Sequence, residues 1–552
     1  MTEDWWRGAV IYQIYPRSFQ DSNGDGIGDL PGITSRLSHV ADLGADAVWL
    51  SPIFTSPMLD MGYDVSDYTD IDPLFGTLAD FDDLIAEAKR LDLKVIIDQV
   101  LSHSSDQHPF FEESRASRDG DKADWYVWAD PKPDGSPPNN WTSVFGGPAW
   151  EWEPRRQQFY LHNFLIEQPD FNCHNPAVQD WLLGTMRFWL DRGVDGFRLD
   201  TVNYYMHDQK LRDNPPEPRE PGAIFVNTYD MQDHVHSKTQ PENLAFIERM
   251  RALTDEYDAR TMVGEVGEGR RSIQVMADYT RGDNRLHMAY SFEMLGPRFS
   301  AEHFRSRISG FFEGSDTAWP CWSFSNHDVN RHVTRWAEHG VSQDALSHLS
   351  AAMLVGFEGT IGIYQGDELG LTETELEYSE LTDPPGLRFW PMNKGRDGCR
   401  TPMVWDAQLT HAGFSNADKT WLPVKAPQAE RSVTQQAEGN DTTLHRWREL
   451  LAFRKAKAAL GTGKTAFFDL PEPLLAFTRS SPESGEQIAC IYNLSPEPQV
   501  LRVNGGTQTG PSASARLQGT ELSLGPNGFA YFEAPLSEPI TIATGASSNV
   551  AI

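Results

Sequence analysis

Short apolar runs alternate along the first two thirds of the chain with segments whose apolar residues return every three or four positions. The runs predict strands at Ala9–Tyr15, Ala47–Pro52, Lys94–Val100, Gly196–Asp200, Thr261–Val266, His287–Phe292, Trp322–Ser325 and Thr360–Tyr364. Segments such as Phe81–Leu91 and Ala177–Leu190 carry the helical period between them. Strands alternating with helices indicate parallel βα units, and eight such strands predict a (β/α)8 (TIM) barrel whose active site sits at the C-terminal strand ends.

Two stretches break the alternation. Residues 104–172, rich in Pro, Gly, Trp and Asp, follow the third strand and read as an inserted subdomain. Residues 371–440 form a second polar insertion after the eighth strand, and Leu444–Leu460 then resumes a helical pattern. The barrel is therefore expected from 1–103, 173–370 and 441–460. From Gly461 the texture turns to short strands, such as Gln487–Leu494 and Phe529–Glu533, broken by Pro, Gly and Ser. That pattern predicts a C-terminal antiparallel β-sandwich over 461–552, ending in a frayed tail at Gly545–Ile552.

Composition narrows the function. The 552 residues carry 47 Lys and Arg against 79 Asp and Glu, a net charge of −32, which opposes binding to nucleic acid or to anionic membranes. No uncharged apolar run approaches the ~18 residues of a membrane span. The acidic, aromatic start Thr2-Glu3-Asp4-Trp5-Trp6 differs from a secretory signal, so the expected location is cytoplasmic. Cys173, Cys321, Cys399 and Cys490 are too widely spaced for zinc or thiol-redox motifs and read as free thiols.

Carboxylates gather where the strands end. Strand three runs into Asp98-Gln99-Val100-Leu101-Ser102-His103, strand four into Gly196-Phe197-Arg198-Leu199-Asp200, strand five into Gly264-Glu265-Val266, and strand seven into Phe324-Ser325-Asn326-His327-Asp328. One carboxylate beside a core can be an ordinary ion pair. Four of them, with an arginine and two histidines and no nucleophilic Ser or Cys, fit glycoside hydrolysis, in which one carboxylate attacks or activates water and another donates a proton. Arg198, two residues before Asp200, is expected to hold that carboxylate ionised, and the histidines to donate to sugar hydroxyls.

The same four segments resemble, in order and spacing, the α-amylase superfamily, glycoside hydrolase family thirteen. WWRGAVIYQIYPRSFQDSNGDGIGDLPGI near the start and SPMLDMGYDVSDY resemble its α-glucosidase and oligo-1,6-glucosidase branch, and the likeness extends over residues 4–535. It implies a retaining mechanism with Asp200 as nucleophile, Glu265 as general acid/base and Asp328 stabilising the transition state. It further implies sugar contacts from Arg198, His103 and His327. Tyr63 would stack on a terminal glucose and Asp60, with Arg400, would clamp its far hydroxyls, closing the pocket for release of single glucose units. Ordinary packing for Tyr63 and a surface place for Arg400 are the alternatives. Phe145, Phe164 and Phe292 are candidate pocket walls or core residues. Thr201, and the segment Gln168–Asn172, match the form associated with α-1,4 linkages.

Ser102 stands where the family commonly has Asn, which argues against a calcium site there. Asp21, Asn23, Asp25 and Asp29, spaced by glycines, form another oxygen-rich loop suited to Ca²⁺ or Mg²⁺. The resembled branch binds calcium in it, with the Ile27 carbonyl as a further ligand; a metal-free Asx-rich turn is the alternative. No organic cofactor is expected. The substrate expected is a maltose-like disaccharide or short oligosaccharide, with sugar or alcohol acceptors in a transfer reaction. A mainly transglucosidase or isomerase activity on sucrose or maltose, and a non-catalytic barrel homologue, are the competing readings. Asn214–Gly222, rich in Pro and Gly, is expected to cross the barrel mouth and to limit substrate length.

Overall fold

The computed structural model describes residues 4–218, 222, 224–313 and 315–544. Eight parallel strands form one sheet: β1 Val10–Ile14, β2 Ala47–Leu50, β3 Lys94–Gln99, β4 Gly196–Leu199, β5 Thr261–Val266, β6 Met288–Ser291, β7 Cys321–Ser323 and β8 Thr360–Tyr364. Their order runs β6-β5-β4-β3-β2-β1-β8-β7, and a parallel bridge from Ala289 to Pro320 joins the two ends. This is the (β/α)8 barrel expected from the sequence. Its strands are buried on both faces, which is why they read as apolar runs without alternation.

Local signals set the surrounding helices. Asp29 caps Leu30–Leu43 by accepting the Gly32 N–H, and Gly44 ends that helix in the left-handed region. Thr77 and Asp80 form a capping box at the start of Leu78–Arg90. Asn175 caps Pro176–Arg192, with Pro176 at the first helical position. The pattern at Leu444–Leu460 resolves into two helices, Thr443–Ala456 and Ala458–Thr462, because Lys457 is extended.

After β3, residues 104–172 carry a three-stranded antiparallel sheet, Trp128–Ala129, Gln158–Leu161 and Trp150–Glu153, around a small core that includes Trp141, Trp150 and Phe159. The chain after β4 docks against this subdomain. Trp141 Nε1 donates to the Arg212 carbonyl at 2.8 Å, Asn140 Nδ2 to the Asn214 carbonyl at 2.9 Å, and Asn227 Nδ2 to the Val144 carbonyl at 2.7 Å.

The C-terminal region is a seven-stranded antiparallel sheet. Its long strand Glu521–Pro535 pairs with Gln499–Asn504 at one end and Glu486–Asn493 at the other, and the sheet folds over a core of Leu474, Ile491, Leu501, Leu522, Leu524 and Phe532. Tyr492 and Tyr531 both donate to the Ala352 carbonyl of the helix Gln343–Gly356, at 3.1 and 2.8 Å. Gly356 is required there, because a Cβ would lie 2.1 Å from the Tyr492 hydroxyl. The tail Gly545–Ile552 lies outside the described residues, as do residues 219–221 of the expected mouth-crossing loop. All four cysteines are free and buried. Among the described residues no helix is long and apolar enough to cross a membrane.

Candidate active site

Arg198, fully buried on β4, is the hub of the strand-end carboxylates. Its Nη1 donates to Asp98 at 2.9 and 3.0 Å and to Asp200 at 2.6 Å, while Nη2 lies 2.5 Å from Glu265. Its remaining donors reach the Tyr290 hydroxyl at 2.9 and 3.1 Å. One cation thus serves three carboxylates. Arg198 favours the ionised form of Asp200, as expected, but it acts against burial. Burial, reinforced by Asp98 and Asp328, outweighs Arg198 and raises Asp200 to about 7. Burial likewise raises Glu265, against Arg198 and with Asp200 and Asp328, to about 8. Asp328 is the reverse case. Burial acts to raise it, but His327, Arg396 and Arg400 hold it well below the usual carboxylate range. Glu265 therefore retains its proton longest, which suits a proton donor.

These groups line a pocket of about 220 Å³. Of the residues singled out in the sequence, Asp60, Tyr63, His103, Phe145, Phe164, Asp200, Thr201, Glu265, Phe292 and Asp328 face it. Arg198, His327 and Arg400 support it from behind. Tyr63 stacks on His327, with ring centroids 5.4 Å apart, and donates to Asp98 at 3.1 Å. Burial lowers His103 to about 4, so its ring is neutral at pH 7, and lowers His327 as well. Gln168 Nε2 donates to Asp60 at 3.1 Å, which ties the start of the Gln168–Asn172 segment to a residue of the pocket lining.

The arginine paired with Asp60 is Arg396, and the sequence assignment of that clamp to Arg400 is corrected. Arg396 Nη2 donates to Asp60 at 2.8 Å and to Asp383 at 2.7 Å, and its Nη1 to Asp328 at 3.2 Å. Arg400 is fully buried, with Nε on the His327 carbonyl at 2.7 Å and Nη2 on Asp328 at 3.0 Å. The two arginines of Arg396-Asp397-Gly398-Cys399-Arg400 flank a single 3-10 turn, and the spacing alone did not tell which one faces the pocket. Val144, Tyr204 and Gly267 also line it and were not read from the sequence.

Beyond the pocket lies a vestibule of about 1350 Å³, walled by the chain after β4, including Glu217, Tyr229 and Gln232, and by the ends of β5 and β6. The described residues 214–218 of the expected mouth-crossing loop are irregular, with one bridge from Pro216 to Gln232.

The Asp21–Asp29 loop offers a hard cation oxygen donors only, from Asp21, Asn23, Asp25, Asp29 and the Ile27 carbonyl, and this donor set fits Ca²⁺. The side chains also turn the loop: Asp21 accepts the Asn23 and Gly24 N–H groups, Asn23 that of Asp25, and Asp25 that of Ile27. Among the described residues no three His, Cys, Asp or Glu side chains are gathered as a preformed centre.

Residues 13–463 match the family described as "Alpha amylase, catalytic domain". The chain belongs to the α-amylase family. A probable α-glucosidase of Rhizobium meliloti is 56% identical over 90% of each chain. An oligo-1,6-glucosidase of Heyndrickxia coagulans is 35% identical over 90% of this α-amylase family chain and 93% of its own. The crystal structure of an α-glucosyl transfer enzyme superposes with a TM-score of 0.92 at 48% identity, covering 96% of this chain and 99% of that one. Together these likenesses support a glycoside hydrolase and bear out the α-glucosidase and oligo-1,6-glucosidase branch named from the motifs.

Proposed function

We propose that the protein is a retaining, exo-acting α-glucosidase that removes glucose from the non-reducing end of short α-glucosides, with a preference for α-1,4 linkages. The observation carrying this reading is one guanidinium, Arg198, joined to Asp200 and Glu265 in a small pocket whose far side carries the Asp60–Arg396–Asp328 bridge. Asp200 attacks the anomeric carbon as the glycosidic C–O bond breaks, and Glu265 gives its proton to the departing oxygen. Glu265 then takes a proton from water, the water oxygen bonds to the anomeric carbon, and the ester bond to Asp200 breaks. Asp328, kept anionic by its cations, binds hydroxyls and stabilises the developing positive charge, and the neutral His103 binds a further hydroxyl. A sugar or alcohol entering from the wide vestibule in place of water gives transglucosylation. The α-glucosyl transfer enzyme with the same fold favours that second outcome. The loop after β4 limits productive chain length by walling the vestibule. Calcium in the Asp21–Asp29 loop is structural, and the protein works in the cytoplasm.

Product analysis on maltose, isomaltose, sucrose and a longer maltooligosaccharide, with and without an added alcohol, tests the reading. Glucose as the first product together with the chain shortened by one unit, fastest from maltose, supports it; initial cleavage of the oligosaccharide into two fragments neither of which is glucose overturns the exo assignment.

A further inference from the structure

Lys238 is a buried cation in the irregular chain between β4 and β5, and among the described residues its ammonium meets no carboxylate within ion-pair distance. Its Nζ donates to the Tyr229 hydroxyl at 2.8 Å, the Tyr204 hydroxyl at 3.2 Å and the Gly267 carbonyl at 2.7 Å. An ammonium has three N–H groups, so this set uses all of them. The charge also lies 4.9 Å from the Tyr204 ring centre and 5.3 Å from that of Tyr229. The two hydroxyls are 2.5 Å apart, and the Tyr229 ring stacks on His234 at 3.8 Å.

The placement of this knot gives it leverage. Tyr204 lines both the small pocket and the vestibule, as do Val144, Gly267 and Phe292, so these residues form the neck between them. A leaving group departs and an acceptor arrives through that neck. With its hydroxyl held by Lys238 and Tyr229, Tyr204 presents ring surface there. Gly267 admits the ring, since a Cβ at that position would lie 3.1 Å from Tyr204 Cε2. Gly267 is also two residues beyond Glu265, the proposed proton donor. Between Tyr204 and Lys238 the described chain has only the 3-10 turn Thr228–Met231, so little regular structure holds the wall in place.

We propose that Lys238 is a positioning residue for the leaving-group and acceptor side of the site. It ties Tyr204 and Tyr229 to the backbone just past Glu265, and so sets the wall against which the second sugar ring is oriented relative to its proton donor. This rests on the glucosidase reading above and adds a determinant for one side of the site.

The test compares a substrate whose leaving group touches the neck wall with one whose leaving group does not. Maltose leaves as a glucose ring, and α-glucosyl fluoride as a fluoride ion. kcat and KM for both are measured in the wild type, Lys238→Met and Tyr229→Phe, with Tm recorded for each. The expected result is at least a tenfold fall in the maltose-to-fluoride ratio of kcat/KM for Lys238→Met, carried by KM for maltose, and a smaller fall of at least threefold for Tyr229→Phe. An unchanged ratio, or equal losses on both substrates, overturns the proposal. If Lys238→Met does not fold, Tyr229→Phe decides alone, because it keeps the ring and removes one acceptor. Failure of the glucosidase reading would show in the wild type itself, which would then turn over neither substrate, and would overturn both.

Discussion

The backbone N–H of Thr201 donates to the carboxyl of Glu265 at 3.1 Å, from a left-handed conformation with φ of 41°. A β-branched residue rarely holds such a backbone, and the cost is on the order of 1–3 kcal/mol. What the strain secures is a junction: the residue after the proposed nucleophile supports the proposed proton donor. Its hydroxyl lies 3.0 Å from Ser102 Oγ and 3.3 Å from Asp200.

Thr201→Val removes that hydroxyl and keeps the shape. The expected outcome is a shift in the kcat/KM ratio of maltose to isomaltose of about tenfold toward isomaltose, the scale of a single pocket contact. Steady-state kinetics on the two disaccharides measures it, and an unchanged ratio would remove Thr201 from the determinants of linkage.

The raised carboxyls predict a bell-shaped pH profile for kcat/KM. Asp200 must be ionised, so activity falls as pH drops below about 7; Glu265 must be protonated, so activity falls as pH rises above about 8. The limbs belong to the interacting pair. Asp200→Ala and Glu265→Gln each abolish turnover while the fold persists. A maximum near pH 5 would contradict the burial argument.

Arg396 and Arg400 have separable roles. Arg396→Lys keeps a charge but loses the fork that reaches Asp60, Asp328 and Asp383, so KM for maltose rises at least tenfold, a loss of about 1.4 kcal/mol. Arg400→Lys leaves the His327 carbonyl and Asp328 poorly paired in a buried setting, so its main effect is a lower Tm. Kinetics and thermal melts on both variants check the division.

The barrel was legible because its strands are buried on both faces. Thr261–Val266 and Thr360–Tyr364 appear with the bounds read from their apolar runs. The catalytic carboxylates were legible because each stands at or just past such a run. Arg396 was not, since which side of a one-turn 3-10 segment faces the pocket depends on packing against Asp383 and Phe145. Nor was the Tyr204–Lys238 pairing, which joins two points of an irregular chain where no periodicity assigns a face. The extent to which burial raises both Asp200 and Glu265 also lay beyond sequence reasoning, because it depends on how many acids share Arg198.

Calcium bound at the Asp21–Asp29 loop would stabilise the folded state by mass action, about 2.7 kcal/mol at a hundredfold excess over Kd. Chelation should therefore lower Tm while activity persists until unfolding, because the loop holds none of the catalytic carboxylates. Thermal melts with excess Ca²⁺ and with a chelator measure this; identical Tm values would mean that the loop works without a cation.

The central claim is double displacement through Asp200. Proton NMR of the glucose released from α-glucosyl fluoride, whose leaving group is not itself a sugar, recorded before mutarotation, tests it most directly. The account predicts α-glucose as the initial anomer; β-glucose would mean direct attack by water and would contradict it.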